Sequence, residues 1–200
     1  MANVEEQILH IIQQAGRGWC FTPKHFIELG TSESVRKALS SLTQKHLIKR
    51  LAFGIYEYPR RHTKLGELPP NIDNVITAIT EKDKVNYLPS GAYAANLLGI
   101  SEQVPAKIVV LTAGTTKKIT IGNTEILFKR TTPKNMLAAG TITGIIMQAF
   151  KFIGENNISH EVVTKVKRKL SKDDLIQLNN DLHLLPSWMI KIIKKNILGA

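Results

Sequence analysis

Apolar residues near the start recur at helical spacing. Val4, Ile8, Ile11 and Ile12 predict an amphipathic helix over roughly 3–14, stopped by Gly16 and Gly18. Thr22 then caps a short second helix with Pro23 at its first position, where a missing N–H is tolerated. Phe26, Ile27 and Leu29 supply its buried side, and Gly30 ends it. A third helix is predicted over 32–45, opened by Thr31 or Ser32, with Val35, Ala38, Leu39 and Leu42 turned to the core. KRLAFGIYEYPR (49–60) follows as two short strands hinged at Gly54, with Pro59 closing the second. Three helices followed by a hairpin is the order of a winged helix-turn-helix, in which the third helix enters a major groove and the wing touches backbone.

RRHTKLGELPPN (60–71) is basic, contains glycine and ends in two prolines, so it reads as a linker. The expected division is a winged domain over 1–62, a linker over 63–71, and a second domain over 72–200. That second domain opens with a helix near 72–81 and a short strand over 85–88. PSGAYAANLLG (89–99) predicts a loop and a helix; Ser90 is either a plain N-cap or part of an anion-holding helix start. AKIVVLT (106–112) is a buried strand, and KKITIGNTEILFKRT (117–131) is a hairpin turning at Gly122-Asn123. GTITGIIMQAFKFIG (140–154) is a strongly apolar helix, and 159–198 alternates helical patterns with breaks at Ser171 and Pro186. The fold class expected is α+β, with a mixed α/β C-terminal domain and a helical C-terminal end.

Charge changes the picture. The formal net charge is +11, with 27 Lys and Arg against 16 Asp and Glu, which favours an acidic partner, nucleic acid first. Residues 1–64 hold 10 Lys and Arg against 5 Asp and Glu; 65–150 hold 8 against 6; 151–200 hold 9 against 5. The lone Cys20 rules out an internal disulfide and suits a reducing compartment. With no signal-peptide pattern and no run of about 18 apolar residues, a cytoplasmic protein without membrane association is expected.

The outward side of the third helix is polar and basic, which suits a phosphate backbone. If it meets DNA, Ser34, Arg36, Lys37 and Gln44 are placed to approach base edges, since arginine bridges guanine acceptors and glutamine pairs with adenine. Thr22, Lys24, Ser32, Lys45, Lys49 and Arg50 are expected to hold phosphates. Arg60 and Arg61 frame the wing with Lys49 and Arg50. Tyr56 and Tyr58 either stack on sugar or base or pack the strand's inner face; Trp19 and Phe21 read as core.

Catalysis finds little footing. The six histidines are scattered without metal-ligand spacing, and no Gly-rich phosphate loop with a following Lys-Ser/Thr appears. Glu125 with Lys129 hints at a metal nuclease, but no paired carboxylate accompanies them. No enzyme, cofactor or metal is expected. The C-terminal helix carries Trp188, Met189, Ile190, Ile193 and Ile197 among Lys191, Lys194 and Lys195, so it closes its own core, docks a partner, or lies on a membrane surface.

GRGWCFTPKHFIELG (16–30), VRKALSSL (35–42) and IKRLAFGIYEYPR (48–60) resemble the AbiEi-type antitoxin family, transcriptional regulators of type IV toxin–antitoxin (abortive infection) modules. YLPSGAYAANLLGIS (87–101), QVPAKIVVLT (103–112) and the hairpin ending FKRTTP (128–133) continue the likeness, which covers roughly 5–150. The resemblance implies a winged helix that binds inverted repeats in the promoter of its own operon and represses it. It also implies a second domain that counters a nucleotidyltransferase toxin, without stable toxin binding being required. The DNA-contact positions it implies are Ser34, Arg36, Lys37, Ser40 and Gln44 in the third helix, and Lys49 and Arg50 in the wing. Two copies would meet on inverted repeats, from a monomer or weak dimer. A solitary winged-helix regulator, or a protein-interaction module without a toxin partner, fits the same residues.

Overall fold

The structure, a computed structural model, describes residues 3–103 and 105–199; Met1, Ala2, Val104 and Ala200, which the expected domains include, lie outside the described residues. The chain is a mixed α+β protein of two compact units, Met1–Lys84 and Val85–Ala200.

In the first unit, α1 (Val4–Ala15) is started by Asn3, whose side chain accepts from Glu5 N while Glu6 reaches back to the Asn3 N–H. Two-residue strand β1 (Cys20–Phe21) leads into Pro23–Leu29, where the expected short second helix takes the 3-10 form. Phe26 at φ −119° breaks the helical path as its ring turns into the core. Helix α2 (Ser32–Gln44) is capped by the Thr31 hydroxyl, which accepts from Ser34 N at 3.1 Å. Its buried residues, Val35, Ala38, Leu39 and Leu42, are those the helical spacing picks out.

Strands β2 (Lys49–Ala52) and β3 (Ile55–Glu57) pair antiparallel around Phe53-Gly54, with Gly54 at φ +69°, a conformation glycine adopts without strain. Strand β1, absent from the sequence reading, pairs with the other edge of β3 and completes a sheet ordered β1-β3-β2. The core gathers Ile8, Ile12, Phe21, Phe26, Leu39 and Ile48, with the Phe21 ring stacked on Tyr56 at 6.1 Å.

The expected linker holds a small hairpin, β4 (Arg61–His62) with β5 (Gly66–Glu67). The helix expected to open the second domain is α3 (Ile72–Asp83), and it belongs to the first unit. Val75, Ile76, Ala78 and Ile79 are buried along it, and it packs on β1 and β3. The boundary therefore falls after Lys84, with α3 packed on β1 and β3 of the first unit.

The second unit is built on a four-stranded sheet ordered β6-β7-β9-β8, from β6 (Tyr87–Ser90), β7 (Lys107–Thr112), β8 (Lys117–Ile121) and β9 (Thr124–Arg130). The central pair β7–β9 is parallel, and both outer pairings are antiparallel. Ile108 lies beside Ile126 and Val110 beside Phe128, all buried, so one face of alternating side chains carries the core. Helix α4 (Ala92–Leu97) starts at Gly91, not Ser90, whose hydroxyl donates instead to Gln148 Oε1 at 3.2 Å.

Helix α5 (Ile142–Ile153) packs on α4 and β6. Helices α6 (His160–Lys169), α7 (Lys172–Asn180) and α8 (Ser187–Ile193) follow, the last running on through a π-turn to Leu198. Met189, Ile193 and Ile197 are buried in this unit's core, so the terminal amphipathic helix closes its own hydrophobic cluster. Among the described residues, no helix is long and apolar enough to cross a membrane.

Candidate nucleic-acid interface

The outward side of α2, the Pro23–Leu29 turn and the β2–β3 hairpin enclose a cleft of about 500 Å³ within the first unit. Four cations line it: Lys24 from the turn, Arg36 from α2, Arg50 from β2 and Lys82 from α3. Among the described residues, no carboxylate does. Ser40 and Gln44 add polar groups one and two helical turns along from Arg36, and Phe53, Gly54 and Tyr56 form the hairpin wall.

Three of the four cations are held by backbone oxygens. Lys24 Nζ donates to the Lys82 carbonyl at 2.9 Å, Arg36 Nε to the Ser32 carbonyl at 3.0 Å, and Arg50 Nε to the Ala52 carbonyl at 3.4 Å. A carbonyl orients such a group without cancelling its charge, so the cleft retains a positive field for an anion. Net charge does not mark the place: the first unit holds 12 Lys and Arg against 9 Asp and Glu, the second 15 against 7. Local segregation of sign marks it.

The structure thus brings together Lys24, Arg36, Ser40, Gln44 and Arg50 from the positions singled out in the sequence. Ser32 lies exposed at the first turn of α2, and Ser34 is half-buried with its hydroxyl donating to the Thr31 carbonyl at 2.9 Å. Three other cations already have carboxylate neighbours. Lys37 pairs with Glu33 at 2.8 Å, Lys45 with Glu5, and Lys49 with Glu67 at 3.2 Å. The hydrogen bond from Lys45 holds the Glu5 carboxyl below its ordinary range. Exposed pairs such as Lys37–Glu33 contribute about 0–1 kcal/mol, so a phosphate can displace that carboxylate at small loss; Glu5 is half-buried.

Two expected contacts are corrected. Thr22 is fully buried; its backbone N–H donates to His25 Nδ1 at 3.1 Å and its hydroxyl lies 3.2 Å from the same nitrogen. It fixes the turn and leaves no atom for a phosphate. Arg60 folds inward against Gly18 and donates from a terminal nitrogen to the Pro69 carbonyl at 2.9 Å. Its Nε is buried beside Glu57, itself fully buried with neither carboxylate oxygen hydrogen-bonded. Burial pushes the Glu57 carboxyl up, against the opposing pull of Arg60 and Lys49.

Three cleft residues escaped the sequence reading. Lys82 belonged to the expected second domain, and nothing local to its sequence sets it beside Lys24. Thr43, inside the expected helix 32–45, donates to the Leu39 carbonyl at 2.7 Å. Phe53 was read as strand, yet it stands 88% exposed at the hairpin tip with the Arg50 guanidinium 5.6 Å from its ring centroid. An aromatic beside a turn glycine is the signal that would have found it. Tyr56 is buried against Phe21, while Tyr58 is half-buried under Arg17 at 4.7 Å.

Chemistry elsewhere is quiet. Burial pushes the Cys20 thiol up to about 12, leaving it protonated and unreactive near neutrality. Glu125 is held by Lys118 and by Lys107, the latter at 3.6 Å, and the Lys118 hydrogen bond pulls its carboxyl down.

These features define a two-unit α+β protein with a cationic, carboxylate-free cleft in its first unit. The chain belongs to DUF6088, a family of unknown function, matched over residues 7–178. No curated protein matches it.

Proposed function

We propose that the chain is a DNA-binding transcriptional regulator whose first unit acts as a winged helix. Helix α2 serves as the groove reader and the β2–β3 hairpin as the wing. The observation that carries this reading is the cleft itself: Lys24, Arg36, Arg50 and Lys82 converge on it, and among the described residues no carboxylate lines it. Arg36 and Gln44, two turns apart on the exposed side of α2, are the base readers. Ser32, Lys37, Lys45 and Lys49 fix register on phosphates, the three lysines exchanging their carboxylate partners for DNA.

The segment-by-segment likeness to AbiEi-type antitoxins supports a second part of the proposal. The protein represses its own operon at inverted repeats and, through the second unit, counters a nucleotidyltransferase toxin encoded beside it. The protein catalyses no reaction and works in the cytoplasm.

The test is a gel shift of the full chain on duplex DNA from upstream of its own reading frame. Arg36→Ala with Lys37→Ala should abolish retention while leaving the circular dichroism spectrum unchanged. Retention equal to the parent's would remove α2 as the reader and favour a protein-docking role for the same surface. The antitoxin part is tested by expressing the adjacent reading frame alone and with this chain. Growth arrest relieved by this chain supports it, and arrest that persists refutes it.

A further inference from the structure

The cleft is concave, and the groove-reading role asks only for an outward helix face and a hairpin beside it. Its volume of about 500 Å³ falls within the roughly 300–1,000 Å³ usual for small-molecule pockets. Its lining is also divided. Lys24, Arg36 and Lys82 supply charge from the turn, α2 and α3, whereas Phe53 and Tyr56 supply flat aromatic surface from the hairpin and the Arg50 guanidinium a charged plane that can stack. Ser40 and Gln44 lie on α2 with donors and acceptors for a heterocycle's edge.

Cations on one side and π-surfaces on the other match a molecule that is an anion at one end and an aromatic ring at the other. Phe53 is 88% exposed, so its ring face lacks a protein cover beyond Arg50. Base-on-aromatic stacking is worth about 1–3 kcal/mol and is indifferent to base identity. Inorganic phosphate would use only the cationic half.

We propose that this cleft binds a free nucleoside 5′-phosphate, with the phosphate on Lys24, Arg36 and Lys82 and the base against Phe53 and Arg50, and that the nucleotide competes with DNA there. The competition rests on the DNA-binding reading; the nucleotide site does not. Because Arg36 and Arg50 serve both ligands, occupancy by one excludes the other. The nucleotide thereby becomes a releasing signal for the regulator.

The experiment titrates the full chain with AMP, GMP, CMP and UMP, and with ribose 5-phosphate as the baseless control, at constant ionic strength by calorimetry. At least one nucleotide should bind about tenfold more tightly than ribose 5-phosphate, the ratio expected from one stacked base. Phe53→Ala should erase that ratio while leaving ribose 5-phosphate affinity unchanged, and Arg36→Ala should weaken both. Equal affinity of the parent for nucleotides and ribose 5-phosphate overturns the proposal, as does a Phe53→Ala protein that keeps the full ratio.

A parallel arm follows displacement of a fluorescent upstream duplex by the tightest nucleotide. Displacement at the nucleotide's own affinity supports the competition. DNA binding without nucleotide binding sinks the inference and spares the regulator reading; nucleotide binding without DNA binding does the reverse. Simultaneous binding of both refutes the competition alone.

Discussion

Asn74 on α3 donates from Nδ2 to the carbonyl oxygen of Gly18 at 2.8 Å, a bond between positions 56 residues apart in sequence. It lies at the end of the loop that feeds β1, so it ties α3 to the three-stranded sheet on which that helix packs. The first unit is therefore incomplete without a helix that its sequence places beyond two prolines. A fragment 1–84 should melt cooperatively, whereas a fragment 1–71 should show a lower midpoint and bind a hydrophobic dye. Losing several buried aliphatic side chains, each worth about 1.5–3 kcal/mol, exceeds what a small domain can spare. Equal melting curves for the two fragments would show that α3 adds nothing.

Glu57 yields a prediction in pH. Its carboxyl is fully buried, and burial is the largest influence raising it from the ordinary value of 4.5. The folded state thus holds the proton more tightly than the unfolded state. Stability from this group is fully present below about pH 4.5 and is lost as pH rises through the elevated folded value. Glu57→Gln, uncharged at every pH, should raise the thermal midpoint at pH 8 and differ little from the parent at pH 4. Melts across that range decide it. A variant destabilised at pH 8 would mean that the charged carboxylate serves the fold there.

The helical stripes and the 117–131 hairpin were legible because each shows its period within one element. Strand β1 was not. Two residues, Cys20 and Phe21, carry no period, and only pairing with Tyr56 and Glu57 makes them a strand. The same limit explains the cleft. Arg36, Ser40 and Gln44 share a face by helix geometry, so three of its members were readable in advance. Lys82 joins them only through tertiary packing, Thr22 is buried beside His25, and Arg60, half-buried, turns toward Gly18 and the Pro69 carbonyl. A polar or charged residue in a sequence says what it can do, not which way it turns.

Gly144 sits inside α5, where alanine would ordinarily favour the helix by about 1 kcal/mol. Here a Cβ would stand 2.1 Å from the Ala138 carbonyl oxygen and 2.7 Å from Leu88 Cδ1. The first obstacle is backbone and cannot swing aside, so the overpacking penalty of about 1–3 kcal/mol or more should prevail. Gly144→Ala is expected to lower the urea midpoint of the full chain. A midpoint raised by the helix propensity of alanine would show that the 138–144 turn yields.

Arg36 and Arg60 are both arginines near the proposed interface, and they should fail differently. Arg36 is exposed and lines the cleft, and besides facing a base edge its charge stands beside the flanking phosphates, so removing it should withdraw about one released counterion and flatten the slope of log affinity against log salt by about 0.9. Arg60 is folded against Gly18 with one terminal nitrogen bonded to the Pro69 carbonyl. Its truncation removes the larger of the two cationic influences on Glu57, leaving Lys49, and should lower the melting temperature with the salt slope unchanged. Filter binding of upstream duplex over a range of potassium chloride concentrations, beside thermal melts of the same preparations, separates the two. If Arg60→Ala flattened the slope as much as Arg36→Ala while melting like the parent, Arg60 would be a phosphate contact after all, and its inward packing would have to give way when DNA arrives.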